Sequence, residues 1–221
     1  MKIEDMMIKS VKHHVNDELM LAYVSGNLPE AFSIAVAAHI SMCDECRIAM
    51  ESYDAVGGVL LEDQIDAEVS VDALQRTLDK ISSSGPAKKT SRPDRSDIPA
   101  PLSDYVGHSL DSIDWQPIGM GVKQSILETS NDATARLLYI PPGTAMPDHS
   151  HSGIEMTLVL KGAFADENEY FATGDIEIAD GTTNHTPVAA DGSPCICLAV
   201  TEAPLKFSSI FHRMIQPLMR I

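Results

Sequence analysis

The residues best suited to chemistry fall into two blocks of different character. His39, Cys43 and Cys46 stand as His-(x)3-Cys-(x)2-Cys within AAHISMCDECR, a thiolate-rich set of the kind that closes around structural zinc. Far downstream, Gly143-(x)5-His149-x-His151-(x)3-Glu155-(x)6-Gly162 offers imidazole and carboxylate, and His185 adds a third imidazole. Those donors serve zinc, iron, manganese or nickel alike. The chain therefore holds the parts of a closed, sulfur-ligated site and of an open site built from nitrogen and oxygen. In a reducing compartment, four cysteines in CxxC and CxC spacing read as metal ligands or redox thiols rather than as structural disulfides.

Elementary geometry groups these residues. In a continuous helix each residue advances roughly 100°, so positions i, i+4 and i+7 share an arc of roughly 60° and His39, Cys43 and Cys46 face one way. Tetrahedral zinc needs a fourth ligand. The nearby donors are His14 and, as the alternative, His13, just before the first expected helix. In a strand, residues two apart point to the same side, so His149 and His151 can both face a barrel interior. Gly153 supplies a turn, Glu155 opens the next strand, and His185 arrives from a later hairpin. Three histidines and one glutamate leave a coordination position open. Cys195 and Cys197 also share a strand face; near a cation they would be poised for oxidation, and otherwise they are small buried hydrophobes.

The elements that must position these groups are legible in outline. Asn16 or Asp17 caps a helix through Ala22 and Val24 that Gly26 ends, and Pro29 fits the first turn of a second helix running to about Tyr53. Phe32, Ile34, Val36 and Ile40 cover more than one stripe of that helix, which implies packing on two sides. Val71, Leu74, Leu78 and Ile81 predict a further helix behind a cap at Ser70. Residues 82–101, SSSGPAKKTSRPDRSDIPAP, read as a flexible linker whose Lys88, Lys89, Arg92 and Arg95 are solvated. Beyond it ARLLYI, EMTLVLKG, GDIEIAD and CICLAV are short β-type runs broken by turns, as in an antiparallel sandwich or barrel. The expected class is α+β multidomain: an all-α metal-binding unit over residues 1–84, a linker over 85–100, and an all-β unit over 101–221.

Composition narrows the function. A formal charge of -16 shared by both halves argues against a nucleic-acid footprint, which needs clustered Lys and Arg. No apolar run is long enough to span a bilayer, and the N-terminus lacks the pattern of a signal peptide, so a cytoplasmic address is expected.

At this point the residues resemble a known family. HHVNDELMLAYVSGNLPEAFSIAVAAHISMCDECR looks like the zinc-binding anti-sigma domain, in which an upstream His precedes His-(x)3-Cys-(x)2-Cys. The downstream block fits the first cupin motif at all its positions. The second motif departs from the cupin pattern: Gly174 and His185 keep the spacing, but Asp180, Thr182 and Ala189 replace the usual Pro, Gly and Asn. Taken together the chain resembles the ChrR group of anti-sigma factors, which join the two domains. That resemblance implies zinc at His14, His39, Cys43 and Cys46, and a cupin jelly-roll barrel with a divalent metal at His149, His151, Glu155 and His185. It also implies an extracytoplasmic-function sigma factor as partner, released under singlet-oxygen or related oxidative stress, with no catalysis required. A metal-dependent cupin enzyme with an accessory helical module is the competing reading, and a thiol-zinc redox switch at Cys43 and Cys46 is another.

Overall fold

The computed structural model describes residues 11–85, 96–147, 149–150, 153–202 and 206–207, with the backbone alone at 149, 150, 184, 206 and 207. The helices are α1 (Asp17–Val24), α2 (Glu30–Ile40), α3 (Asp44–Glu62), α4 (Ala73–Ser83) and α5 (Ser103–Val106). The strands are β1 (Gln116–Gly119), β2 (Val122–Ile126), β3 (Thr134–Ile140), β4 (His149–Ser150), β5 (Glu155–Lys161) and β6 (Ala163–Ala165). They continue with β7 (Tyr170–Ala172), β8 (Ile176–Ala179), β9 (Asn184–His185), β10 (Val188–Ala189), β11 (Cys195–Thr201) and β12 (Lys206–Phe207). The α+β class is as expected, helices first and strands after.

Local chemistry explains the helix boundaries. Asn16 accepts a hydrogen bond from the Leu19 amide, and Asp17 and Glu18 place negative charge in the first turn of α1. The expected single helix from Pro29 to Tyr53 is corrected: α2 stops at Ile40 and α3 begins at Asp44. The break has a chemical cause. Ser41 Oγ donates to the Ala38 carbonyl at 2.7 Å, and Cys43 becomes the N-cap of α3, its sulfur accepting the Cys46 amide at 3.4 Å. Asp44 and Glu45 follow as the acidic first turn. Ser70 is likewise not the cap of α4; Asp72 precedes that helix, and Ser70 Oγ accepts from Arg76.

The main sheet is six-stranded, in the order β1-β2-β3-β11-β5-β8 and antiparallel throughout, with two three-stranded sheets, β10-β6-β7 and β12-β4-β9, beside it. Its central strands are buried on both faces, and their alternation sorts the side chains into two cores. Leu137, Met156, Leu158, Ile176, Leu198 and Val200 join the helical residues Phe32, Val36 and Met20 in one cluster. Ile140, Val159, Cys195 and Cys197 meet Phe164 and Phe171 in a second cluster inside the barrel. Helix α2, buried on two sides as its pattern implies, lies against β3, β5 and β11.

The helices and the sheet share one core, and the expected linker over residues 85–100 is described only in part. Residues 86–95, including Lys88, Lys89, Arg92 and Arg95, lie outside the described residues. The C-terminal end of the span is anchored instead: Ile98 is buried in the same core as α2, as is Leu102 just beyond. Glu30, at the start of α2, accepts from Tyr105 Oη at 2.8 Å and from the Ser130 amide at 2.7 Å, tying the helix to the β-rich half. By contrast α4 has no buried residue; Val71, Leu74 and Ile81 are exposed.

Candidate metal centres

Three separate elements build the N-terminal site. His14 lies just before α1, His39 in the last turn of α2, and Cys43 and Cys46 at the start of α3. His39, Cys43 and Cys46 do not share one continuous helix as expected, because the chain turns between His39 and Cys43, yet the turn itself brings the donors together. His14 Nδ1 is 3.3 Å from Cys43 Sγ and 3.7 Å from Cys46 Sγ, while His39 Nε2 is 3.2 Å from Cys46 Sγ. Tetrahedral zinc with ordinary Zn–S and Zn–N bonds sets sulfur and nitrogen about 3.6 Å apart, so this donor set fits such an ion. His13, the alternative, is turned away: its ring lies 4.4 Å from that of Phe171, and its nitrogens face Glu169 at 3.1 Å and Asp175 at 3.6 Å.

The polar groups around the donors fix their orientation. Glu45 Oε2 lies 3.3 Å from His14 Nε2, and the Gly174 carbonyl lies 2.9 Å from His39 Nδ1, so the nitrogens not aimed at sulfur are both engaged. Burial holds the His39 imidazole down to about 4, keeping it neutral at physiological pH. Burial also pushes the Cys46 thiol up to about 11, with the neighbouring Cys43 adding to the rise. A dication reverses the thiol preference by stabilising thiolate. Four donor atoms gathered in this way suit a bound cation.

The barrel site is centred on His185, which is fully buried on β9. Its Nδ1 lies 3.0 Å from Glu177 Oε1 and 3.6 Å from Asp166 Oδ2, and these three residues form a second group whose ligand atoms could hold one ion. Glu155 stands on the interior face of β5, where Thr157 Oγ1 donates to it at 3.3 Å. Burial by itself would lower the His185 pKa; the Glu177 hydrogen bond and the charges of Glu177, Glu155 and Asp166 outweigh it and raise the value. The backbone of His149 pairs with that of His185 across β4 and β9. His151 lies outside the described residues, and the side chain of His149 is among those not described. Gly162, the last position of the motif, has φ +77°, and a Cβ there would lie 2.4 Å from the Pro194 carbonyl oxygen, which accounts for glycine at this turn.

Cys195 and Cys197 point into the barrel, as their shared face implies, and neither forms a disulfide. The hydrogen bond with Cys195 and then burial raise the Cys197 thiol well above its ordinary value, and the charges of Glu155 and Glu177 act the same way. These surroundings favour the neutral thiol. Asp166, Glu177 and Asp175 escaped the sequence reading. For Glu177 a signal existed, since an acid between Ile176 and Ile178 on a strand apolar on its other face must point into the barrel.

Comparison with known proteins agrees with this geometry. Residues 104–204 match the model of the ChrR cupin-like domain. The anti-sigma-E factor ChrR of Cereibacter sphaeroides is 48% identical over 212 residues, covering 96% of this chain and 100% of that protein. The chain belongs to the ChrR family of anti-sigma factors. A solved ChrR structure, from the crystal structure of Rhodobacter sphaeroides SigE in complex with the anti-sigma ChrR, superposes with a TM-score of 0.78 at 48% identity, covering 87% of this chain and 99% of that one. The ChrR architecture thus accounts for both halves, and the family's cupin-like domain coincides with the β-rich half described above.

Proposed function

We propose that the chain is an anti-sigma factor that sequesters an extracytoplasmic-function sigma factor through its helical half and releases it on oxidative stress, singlet oxygen being the signal the resemblance implies. The observation that carries the reading is the near-full-length identity to an anti-sigma factor, joined to a surface that needs a partner. Val59, Leu60 and Leu61 at the end of α3 and Leu74, Leu78 and Ile81 on α4 are exposed. A short amphipathic helix with no apolar neighbour gains little in water, whereas a helix laid on a protein groove gains most of its stability there.

In this reading zinc at His14, His39, Cys43 and Cys46 is structural, holding α1, α2 and α3 in the arrangement that presents α3 and α4. The barrel receives the signal through a divalent metal at His149, His151, Glu155 and His185, with Glu177 and Asp166 orienting His185. Zinc is the first candidate there, with iron, manganese or nickel as alternatives. Cys195 and Cys197 are further candidates for oxidation inside the same barrel. No turnover is required of the barrel. Among the described residues no helix is long and apolar enough to cross a membrane, which is compatible with action in the cytoplasm beside RNA polymerase.

The test places charge on the exposed stripe. A Leu78→Asp, Ile81→Asp variant keeps both metal sites and the common core, since neither residue is buried. Its affinity for the sigma factor, measured by calorimetry, should fall at least a hundredfold. Unchanged affinity in a variant of native metal content would refute the assignment of this surface.

A further inference from the structure

Strand β8 and the turn leading into it touch both metal-ligand sets. Strand β8 lies at the edge of the six-stranded sheet, and the segment just before α1 covers part of that edge. The Asp175 carboxylate, almost fully buried, accepts the Lys12 amide at 2.6 Å and the His13 amide at 3.1 Å through Oδ1. Its Oδ2 accepts the Ala172 amide at 2.8 Å, and the Ile176 amide donates back to the His13 carbonyl at 3.3 Å. The backbone leading into His14 is thereby fixed to the strand. One residue earlier, the Gly174 carbonyl holds His39 Nδ1 at 2.9 Å, and a Cβ at Gly174 would lie 2.8 Å from Val11 Cγ2. Two residues later, Glu177 holds His185 Nδ1 at 3.0 Å.

Closeness along the chain links these contacts. Asp175 immediately precedes β8 and Glu177 is its second residue, while Ile176 between them is buried in the apolar core that the helices and sheet have in common. A cleft of about 430 Å³ is lined by Lys12, His13, His14, Asp166, Glu169 and Glu177. Orienting contacts of this kind tune metal retention in general. Here the contacts of two sites are made within four residues, by Gly174 and Asp175 in the turn before β8 and by Glu177 on β8, so a displacement at one site bears on the other.

We infer that Gly174, Asp175 and Glu177 couple the two metal centres: Asp175 is a positioning residue for the helical zinc ligand His14, Gly174 for His39, and Glu177 for His185, so that the state of the barrel sets how firmly the helical site holds its ion. The inference rests on the assignment of zinc to the helical site and of a metal to the barrel site, but not on the sigma factor. Because coupling is reciprocal, filling or emptying the helical site alters the barrel as well.

The experiment measures zinc release from the full chain to a chromogenic chelator, without oxidant or partner, with a Cys43→Ser, Cys46→Ser variant identifying the helical component. Asp175→Ala should release helical zinc about 10–100-fold faster than the native chain, and Asp175→Asn, which keeps an acceptor oxygen, should recover most of the loss. Glu177→Gln, which touches no helical ligand, should still change helical release by at least about fivefold, the lower end of ordinary coupling. A barrel-core variant, Ile140→Val, controls for general destabilisation and should leave release within about twofold of native. Should Asp175→Ala fail to fold, amide exchange answers the question: the Lys12 and His13 amides of a His185→Gln chain should exchange at least about fivefold faster than in the native chain. Native release from Asp175→Ala overturns the positioning role. Native release from Glu177→Gln, or unchanged exchange in His185→Gln, overturns the coupling.

Discussion

Replacing Phe32 by Ala should destabilise both halves of the molecule at once. Phe32 is on α2 and almost fully buried, in the cluster that contains Leu137, Met156, Leu158 and Leu198 of the sheet. Truncating a buried phenylalanine costs about 3–5 kcal/mol through lost transfer free energy and the cavity left behind. For a urea dependence of about 2–3 kcal/mol/M, the midpoint of unfolding falls by about 1–2.5 M. Trp115, the single tryptophan, sits on the β-rich side with its ring 5.9 Å from that of Tyr139 and reports on the sheet, while circular dichroism at 222 nm reports on the helices. With metal held in excess, both signals should move together by the same amount. A Trp115 transition that stays at the native midpoint while the helical signal shifts would falsify the shared core and restore two independent domains.

Other perturbations follow from the sites. A Cys43→Ser, Cys46→Ser variant should lose one equivalent of tightly held zinc together with sigma binding, because a closed zinc site contributes on the order of 10 kcal/mol to folding; elemental analysis beside calorimetry decides, and retention of both zinc and affinity refutes the site. Gly162→Ala forces a side chain into a left-handed turn 2.4 Å from the Pro194 carbonyl oxygen, and should lower barrel stability by at least about 2 kcal/mol, read as a reduced thermal midpoint. His185→Ala should empty the barrel of metal, leave sigma affinity near native and blunt release after controlled singlet-oxygen exposure; undiminished release from a chain shown to lack barrel metal moves sensing to Cys43 and Cys46.

Much of the architecture was legible because local chemistry and periodicity agreed. Asn16 announced α1, and the runs at ARLLYI, EMTLVLKG, GDIEIAD and CICLAV all form strands. The break between α2 and α3 leaves little trace in the sequence because Cys43 serves as a helix cap, a role its apolar character does not advertise, although Asp44 and Glu45 mark a first turn. The tie between the halves left almost no sequence signal. Asp175 and the Lys12 amide are 163 residues apart, and His39 and Gly174 are 135 apart, so no local pattern records either contact. The two-sided apolar surface of α2 was visible, but not that its second neighbour is the sheet. Ile98, surrounded by Pro, Ser and charge, looked like part of a linker and is buried, because burial is decided by what the rest of the chain brings to it.

The central claim is that this chain silences a sigma factor, and single-round transcription tests it directly. RNA polymerase core, the extracytoplasmic-function sigma factor of the same organism and a promoter template are combined with increasing amounts of zinc-loaded chain. Transcription should fall to background at about one chain per sigma factor and persist when the Leu78→Asp, Ile81→Asp variant is used instead. Full transcription in the presence of excess native, zinc-loaded chain would contradict the account.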